Sequence, residues 1–137
     1  MGNKLLIIDD DPILQDQLAW ALRQDFELTR CSDRESGLKA AARERPDLVL
    51  LDLHLPPSHA LNDGLQNIAD MRRVNPDSVI IVMTGDDKTD TALHAIEAGA
   101  YDYFRKPIDL RELRVIINRA LERQRIEREN SRLRREI

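Results

Sequence analysis

The chain has 137 residues, which is enough for one domain with a buried core. Hydrophobic residues make up 42% and charged residues 34%, a balance typical of soluble domains, and the net charge of −4 argues against direct nucleic-acid binding by this segment. No apolar run approaches the roughly 18 residues of a membrane span, and the N-terminal apolar stretch is too short for a secretory signal, so we expect a cytoplasmic protein with no membrane contact. The single cysteine, Cys31, excludes an internal disulfide, and we expect it to be buried or half-buried.

Five short apolar runs alternate with longer stretches of helical periodicity. In chain order they cover residues 5–8, 26–30, 48–51, 79–82 and 101–104. Strands that alternate with helices predict an α/β fold with a parallel sheet. The first, third and fourth runs are continuously apolar, as in strands buried on both faces, whereas the second and fifth contain polar residues and fit the edges. We therefore predict a doubly wound five-stranded sheet of order 2-1-3-4-5, with helices on both faces.

Capping residues indicate where several helices begin and end. Asp11 followed by Pro12 predicts the N-cap and the first residue of one helix. Residues 32–35 match a capping box that starts at Ser32, and residues 109–112 repeat that pattern. Gly99 predicts the end of the fourth helix.

The last predicted helix contains no breaker after residue 121. Residues 122–137 hold six arginines and four glutamates, a net charge of +2, which leaves −6 for the rest of the chain. Ile126, Asn130, Leu133 and Ile137 follow one another at the 4-3-4 spacing of a coiled-coil seam. We therefore divide the chain into a domain of residues 1–121 and a helical extension of residues 122–137, whose seam either pairs two copies or belongs to a solvated helix.

Acidic residues follow two predicted strands that should be neighbours in the sheet. Asp9 and Asp10 come after the first strand, and Asp52 comes after the third. Sites in such sheets lie outside the carboxyl ends of the strands, where the strand order reverses, so these three residues should converge. Their repulsion requires either a proton or a cation, and carboxylates with a carbonyl and waters form the oxygen site that Mg²⁺ prefers. Asp11 is explained by its role as a helix cap.

Thr84 and Lys106 each follow a predicted strand after one residue, which brings both to the same edge of the sheet as the acids. A lysine there can pair with the acids or with a phosphoryl oxygen, and a threonine hydroxyl can donate to the same group. Pro107 stiffens the turn and favours an unusual peptide geometry. Each residue alone is unremarkable in a loop, but suitable polar groups at four of five strand ends form a specific pattern.

Together these residues resemble the receiver domain of bacterial response regulators, the CheY-like family with a flavodoxin-like fold. The matching stretches are residues 7–11, 50–56, 63–64, 82–85 and 99–107, and the match covers roughly residues 4–121 in order. The resemblance implies a two-component signalling switch without enzymatic turnover. It takes a phosphoryl group from a sensor histidine kinase or a phosphotransfer protein and changes conformation to control an output, such as transcription.

The resemblance also assigns roles to individual residues. It implies that Asp52 is the phosphoacceptor. Asp9, Asp10 and Asp52 would hold Mg²⁺ together with the backbone carbonyl of His54, so that the identity of the His54 side chain matters little. In the same way, Thr84 would be the switch hydroxyl, Lys106 the phosphate-pairing lysine and Tyr103 the aromatic residue that reorients on activation.

One stretch departs from the family pattern. Residues 57–62 separate Pro56 from the Asp63-Gly64 pair, which is a longer connection than the family usually has. The insertion borders the predicted site and could affect phosphoryl lifetime or partner choice, but we interpret it as a tolerated surface loop. Gly85, beside the switch threonine, leaves the phosphoryl pocket open.

Residues 121–130 resemble, more weakly, the linker between the receiver and the ATPase domain of NtrC-type transcription regulators. If so, the chain is a receiver followed by an output domain in a longer protein, and the seam favours a parallel dimer in which Asn130 sets the register. A homodimer through the face of the fourth helix and fifth strand is a second expectation.

Three other classes fit the sequence less well. A phosphohydrolase of the haloacid dehalogenase type needs a general acid where His54 stands, and a flavin or nucleotide binder would not place three aspartates in its phosphate loop. A phosphorylation-independent adaptor is the closest rival, although its acidic pocket would be degenerate. Zinc is disfavoured because His54, His59 and His94 are scattered.

Overall fold

The computed structural model of the protein describes residues 3–136. Strands and helices alternate along them: β1 (Asn3–Ile8), α1 (Pro12–Leu22), β2 (Phe26–Cys31), α2 (Arg34–Glu44), β3 (Leu48–Asp52), α3 (Leu61–Val74), β4 (Val79–Thr84), α4 (Thr89–Ala98), β5 (Asp102–Arg105) and α5 (Leu110–Glu136). The strands form one parallel sheet in the order β2-β1-β3-β4-β5. The predicted fold class, strand order and edge strands are therefore confirmed. Within the described residues, no helix combines the length and the apolar character that a bilayer crossing requires.

Alternate residues of the central strands supply two separate cores, one on each face of the sheet. Successive side chains of a strand point to opposite faces, so a continuously apolar strand must be covered on both sides. One face packs against α1 and α5, through buried residues that include Leu5, Leu18, Leu50, Ile81 and Ile117. The other packs against α2, α3 and α4, through buried residues that include Leu6, Ala41, Leu51, Ile68 and Ala95. The sheet is thereby held rigid, and its carboxyl edge positions the site.

The strands extend further than the apolar runs predicted. β3 continues to Asp52 and β4 continues to Thr84, whereas β5, at Asp102–Arg105, has the predicted length but is shifted by one residue from 101–104. Pairing continues because backbone hydrogen bonds do not depend on apolar side chains: Asp52 lies opposite Met83 and Thr84 lies opposite Arg105. Apolar runs mark the buried part of a strand, so they underestimate its length.

The helix caps agree with prediction in most places. The Asp11 side chain accepts hydrogen bonds from the amides of Ile13 and Leu14, and Gly99 ends α4 with a φ of 120°. The predicted capping box that starts at Ser32 is wrong by one residue. The cap of α2 is Asp33, whose carboxylate accepts the Ser36 amide at 2.8 Å, so the helix begins one residue later than predicted. Both residue types are good caps, and the pattern alone does not decide between them.

Helix α5 runs without a break across residue 121, where the proposed division into domain and extension falls. Gln124 is buried, and its amide nitrogen donates to the backbone oxygens of Asp47 at 2.9 Å and Asp77 at 2.6 Å. One turn later, Arg128 pairs with the Asp47 carboxylate at 3.1 Å. The first turns of the extension are therefore attached to the amino-terminal edge of the sheet.

We expect Gln124→Ala to destabilise the protein by roughly 1–3 kcal/mol, because two backbone carbonyls lose a buried donor. Amide hydrogen exchange of the extension should also rise, since the attachment is lost. Arg125→Ala is the matched control, because Arg125 pairs with Glu122 on the exposed side of the same helix and such pairs contribute about 0.5 kcal/mol or less. Equal effects of the two substitutions in urea unfolding and exchange experiments would contradict this attachment.

Candidate functional site

Three carboxylates meet at the carboxyl edge of the sheet. Asp9 directly follows β1 and Asp52 ends β3, and these strands are neighbours, with Ile8 opposite Leu51. One carboxylate oxygen from each of Asp9, Asp10 and Asp52 lies within 4.8 Å of the other two. Asp9 and Asp52 are buried, whereas Asp10 is exposed. The predicted convergence is confirmed, and it places a strong negative charge at the point where the strand order reverses.

Lys106 is the cation that faces this cluster. It follows β5, and its Nζ lies 2.9 Å from Asp9 Oδ2 and 3.6 Å from Asp52 Oδ2. Its amide donates to the backbone oxygen of Thr84 at 2.8 Å, which fixes the turn against β4. The Lys106–Pro107 peptide bond is cis, as is Pro56–Pro57, so the unusual geometry expected at Pro107 is confirmed.

Burial and charge shift the titration of two of these groups. Burial raises the pKa of the Asp52 carboxyl, although the His54 amide, which donates to Asp52 Oδ1 at 2.9 Å, and the Lys106 ammonium both oppose this shift. Burial alone lowers the pKa of Lys106, but its hydrogen bond to Asp9 and the charge of Asp52 outweigh it, so its pKa lies above the ordinary value. One ammonium faces three carboxylates, and the cluster is only partly neutralised.

The donor atoms fit a hard divalent cation. Asp9 Oδ1 accepts the Asp11 amide at 2.8 Å, whereas the buried Asp9 Oδ2 faces the Lys106 ammonium at 2.9 Å. The Lys106 ammonium does not balance three converging carboxylates, and a cation bound among them would complete the neutralisation. Carboxylate oxygens are the ligands of Mg²⁺ or Ca²⁺, and this is the one cluster of three or more possible metal ligands among residues 3–136.

Thr84 lies beside this cluster and is buried at the end of β4. Its Oγ1 accepts the Asp86 amide at 2.9 Å and lies 3.1 Å from His54 Nε2. Tyr103 occupies β5, opposite Val82, with its side chain partly exposed at the surface, so it does not join the cluster. A Cβ added at Gly85 would meet no atom within 4 Å, which agrees with the expected open space beside Thr84.

Two residues near the site were not predicted. The buried Gln15 amide donates to the backbone oxygens of Asp9 and Cys31, and so holds the loop that carries the acids. Its only sequence signal is a polar residue on the apolar face of α1. The second is the imidazole of His54, whose contact with Thr84 links residues 30 positions apart. Cys31 itself is partly buried, as expected.

The connection between β3 and α3 is shorter than the sequence suggested. Helix α3 begins at Leu61, so residues 61–62 of the predicted insertion form its first turn, and residues 56–60 form the loop. Ser58 donates to the Asp63 carboxylate, and His59 Nε2 lies 4.0 Å from Asp10 Oδ2. The loop therefore borders the acidic cluster, as expected.

Sequence comparison finds several long regulators. The chain is 34% identical over 130 residues to the nitrogen assimilation regulatory protein NtrX of Azorhizobium caulinodans, and this alignment spans 94% of the chain and 28% of NtrX. It is 34% identical over 128 residues to the regulatory protein AtoC of Escherichia coli, across 93% of the chain and 27% of AtoC. The chain thus spans under a third of these NtrC-type relatives.

Solved structures with the same fold include NtrX from Brucella abortus, with a TM-score of 0.88 and 32% identity over 100% of this chain and 31% of that one. A response regulator from Burkholderia pseudomallei, crystallised with a phosphorylated aspartic acid, a calcium ion and citrate, has a TM-score of 0.76 and 30% identity over 92% of this chain and 73% of its own. Residues 5–118 match the response regulator receiver domain family. With this match, its fold and its relatives, the chain belongs to the receiver domain family of two-component response regulators.

Proposed function

We propose that the Asp52 carboxylate accepts a phosphoryl group from a sensor histidine kinase or a phosphotransfer protein. The convergence of Asp9, Asp10 and Asp52 beside Lys106 supports this role most directly. The Burkholderia pseudomallei relative, which carries a phosphorylated aspartic acid and a calcium ion, is a second support. The protein is a switch that assists its own phosphorylation and dephosphorylation, and it is not a turnover enzyme.

Each side chain has a defined task in this reaction. An Asp52 oxygen attacks phosphorus in line, so that a P–O bond forms to the carboxylate while the P–N bond to the donor histidine breaks. The Lys106 ammonium, 3.6 Å from Asp52, is near enough to pair with the oxygens of the incoming group. Hydrolysis of the acyl phosphate returns Asp52 to its resting state.

Asp9, Asp10, Asp52 and the backbone carbonyl of His54 are the ligands that we assign to a Mg²⁺ ion. The convergence of three carboxylate oxygens within 4.8 Å of one another supports this assignment. When bound, the ion supplies positive charge that balances the carboxylates and the phosphoryl oxygens. Without such positive charge, the negatively charged phosphoryl group could not be accommodated beside three carboxylates.

The conformational response is assigned to Thr84 and Tyr103. An aspartyl phosphate adds about −1.5 to −2 charge, and the Thr84 hydroxyl is drawn to its oxygens as a hydrogen-bond donor. Thr84 is buried and Tyr103 is partly exposed, so inward movement of the tyrosine ring would fill the vacated space and change the α4 and β5 surface. This is a two-state equilibrium biased by a local charge.

The output follows from the context of the relatives. We infer that residues 1–121 act as the receiver and residues 122–137 as a linker to an output domain, in a cytoplasmic regulator of transcription. This segment itself binds neither nucleic acid nor membrane. Dimerisation through the α4 and β5 face, or through the extension of α5, would carry the signal.

The geometry of α5 supports a dimer through its extension. Ile126 and Leu133 are exposed and lie about half a turn around the helix from the buried Gln124, so they face away from the domain. Asn130 lies between them at a coiled-coil core position, and Glu129 and Arg134 flank the seam with opposite charges, as in a parallel pair. Ile137, the last predicted member of the seam, lies outside the described residues.

Acetyl phosphate with Mg²⁺ should add one phosphoryl group to the protein, measured by intact mass. Asp52→Asn should abolish the gain, because an amide is not a nucleophile here. Asp87→Asn, at an exposed aspartate on the same edge, is the control and should be phosphorylated normally. Phosphorylation of Asp52→Asn at the wild-type rate would exclude Asp52 as the acceptor, and no gain by the wild type would exclude the function.

A further inference from the structure

The His54 imidazole bridges the candidate switch residue and the neighbouring loop. Its Nε2 lies 3.1 Å from Thr84 Oγ1, and its Nδ1 lies 3.1 Å from the backbone oxygen of His59. A carbonyl oxygen only accepts, so Nδ1 donates to it, and in the neutral imidazole that carries its proton on Nδ1 the Nε2 atom accepts the Thr84 hydroxyl proton. Thr84 Oγ1 also accepts the Asp86 amide at 2.9 Å. With the neutral ring, the single proton of the Thr84 hydroxyl is directed to His54.

The loop of residues 56–60 depends on the same ring. His59 adopts a left-handed backbone conformation, with a φ of 57°, which is uncommon for a residue other than glycine. Its amide donates to Leu55 at 3.0 Å, and its carbonyl accepts from His54. These two hydrogen bonds hold an otherwise unfavourable turn. The His54 ring therefore contacts both the loop and Thr84.

We propose that the His54 side chain is a positioning residue, which restrains Thr84 in the resting state and connects the 56–60 loop to phosphorylation. The inference rests on the proposed function, in which a phosphoryl group on Asp52 recruits the Thr84 hydroxyl. One hydroxyl proton serves one acceptor, so Thr84 must release His54 before it can donate to a phosphoryl oxygen. The bond to His54 therefore favours the resting state, and its loss on activation releases one side of the ring that also holds the loop.

Two substitutions separate the two ends of the bridge. In His54→Asn, the side-chain amide occupies the place of Nδ1 and retains the bond to His59, but no atom reaches Thr84. In His54→Gln, the terminal amide occupies the place of Nε2 and retains the bond to Thr84, but the bond to His59 is lost. His59→Asn is the control, because asparagine tolerates the left-handed conformation and keeps the backbone carbonyl.

The probe is beryllofluoride with saturating Mg²⁺, and its apparent dissociation constant is read from the NMR amide signals of Thr84 and Gly85. His54→Asn should bind the probe about 3- to 10-fold more tightly than the wild type, the range that one hydrogen bond supports. His54→Gln should change less than His54→Asn, and His59→Asn should match the wild type. In the Mg²⁺-free protein, hydrogen exchange at the His59 amide should be faster in His54→Gln than in the wild type. His54→Asn, which retains the bond to His59, should not change this exchange rate.

Wild-type affinity in His54→Asn, or equal shifts in both His54 variants, would overturn the restraint while leaving the role of Asp52 intact. If the folded wild type does not take beryllofluoride, the proposed function and this inference fail together. The exchange measurement needs neither metal nor probe, and an unchanged His59 amide in His54→Gln would overturn the connection to the loop.

Discussion

Gly64→Ala is expected to destabilise the protein by about 3 kcal/mol or more, which is the upper end of the range for overpacking. Gly64 lies in the first turn of α3, where a Cβ would lie 1.9 Å from the backbone oxygen of Leu53. Neither group can yield without moving the backbone of α3 or the end of β3. In an unhindered helix interior, alanine would instead stabilise by about 1 kcal/mol, so the measured loss understates the clash.

Displacement of Leu53 should also impair the site, because Leu53 lies between Asp52 and His54 in the chain. Urea unfolding and the phosphoryl gain of Gly64→Ala would test both effects. Gly85→Ala is the matched control for stability, since a Cβ there meets no atom within 4 Å. If Gly64→Ala unfolds at the same urea concentration as Gly85→Ala, α3 does not pack against β3 as closely as described here.

Asp52→Asn is expected to stabilise the Mg²⁺-free protein at neutral pH by about 0.5–2 kcal/mol, the usual gain from a single stabilising substitution. Burial raises the pKa of Asp52, so the folded chain binds its proton more tightly than the unfolded chain does. Such a carboxyl destabilises the fold above its folded pKa, and the penalty fades as the pH falls through that pKa toward the unfolded value. Asparagine never carries this charge, so the gain should shrink at acid pH.

Chemical unfolding with a chelator, repeated from neutral to acid pH, measures this difference. Added Mg²⁺ should reduce the stability difference between Asp52→Asn and the wild type. The ion stabilises the folded protein by mass action, and the wild type offers it one more carboxylate ligand than Asp52→Asn does. Asp87→Asn, at an exposed position, should show no comparable gain. A stability of Asp52→Asn equal to or below the wild type at neutral pH would mean that Lys106 already compensates the Asp52 charge.

The sequence predicted the parts of the site that depend on strand ends. Asp9 and Asp52 come directly after apolar runs, and parallel pairing brings such positions together whatever the loops do. Lys106 and Thr84 were predicted on the same basis. These predictions succeeded because strand burial and strand direction leave strong, local marks in a sequence.

The remaining contacts depend on distances that no local pattern encodes. His54 meets Thr84 across 30 positions, and Gln124 meets Asp47 across 77. The sequence pattern does not distinguish a polar side chain that hydrogen-bonds to a distant part of the chain from an ordinary surface residue. The misplaced cap at Ser32 has a different cause, since Ser32 and Asp33 are adjacent and both are suitable N-cap residues.

The attachment of Gln124 at the amino-terminal edge of the sheet determines how motion would pass along α5. One side of the helix is fixed to the domain through Gln124, and the opposite side is exposed to solvent. A partner bound to the exposed side would move together with the domain, because the backbone hydrogen bonds of the helix between them resist twisting. A change in the orientation of the domain would therefore displace whatever is bound along the exposed side of α5.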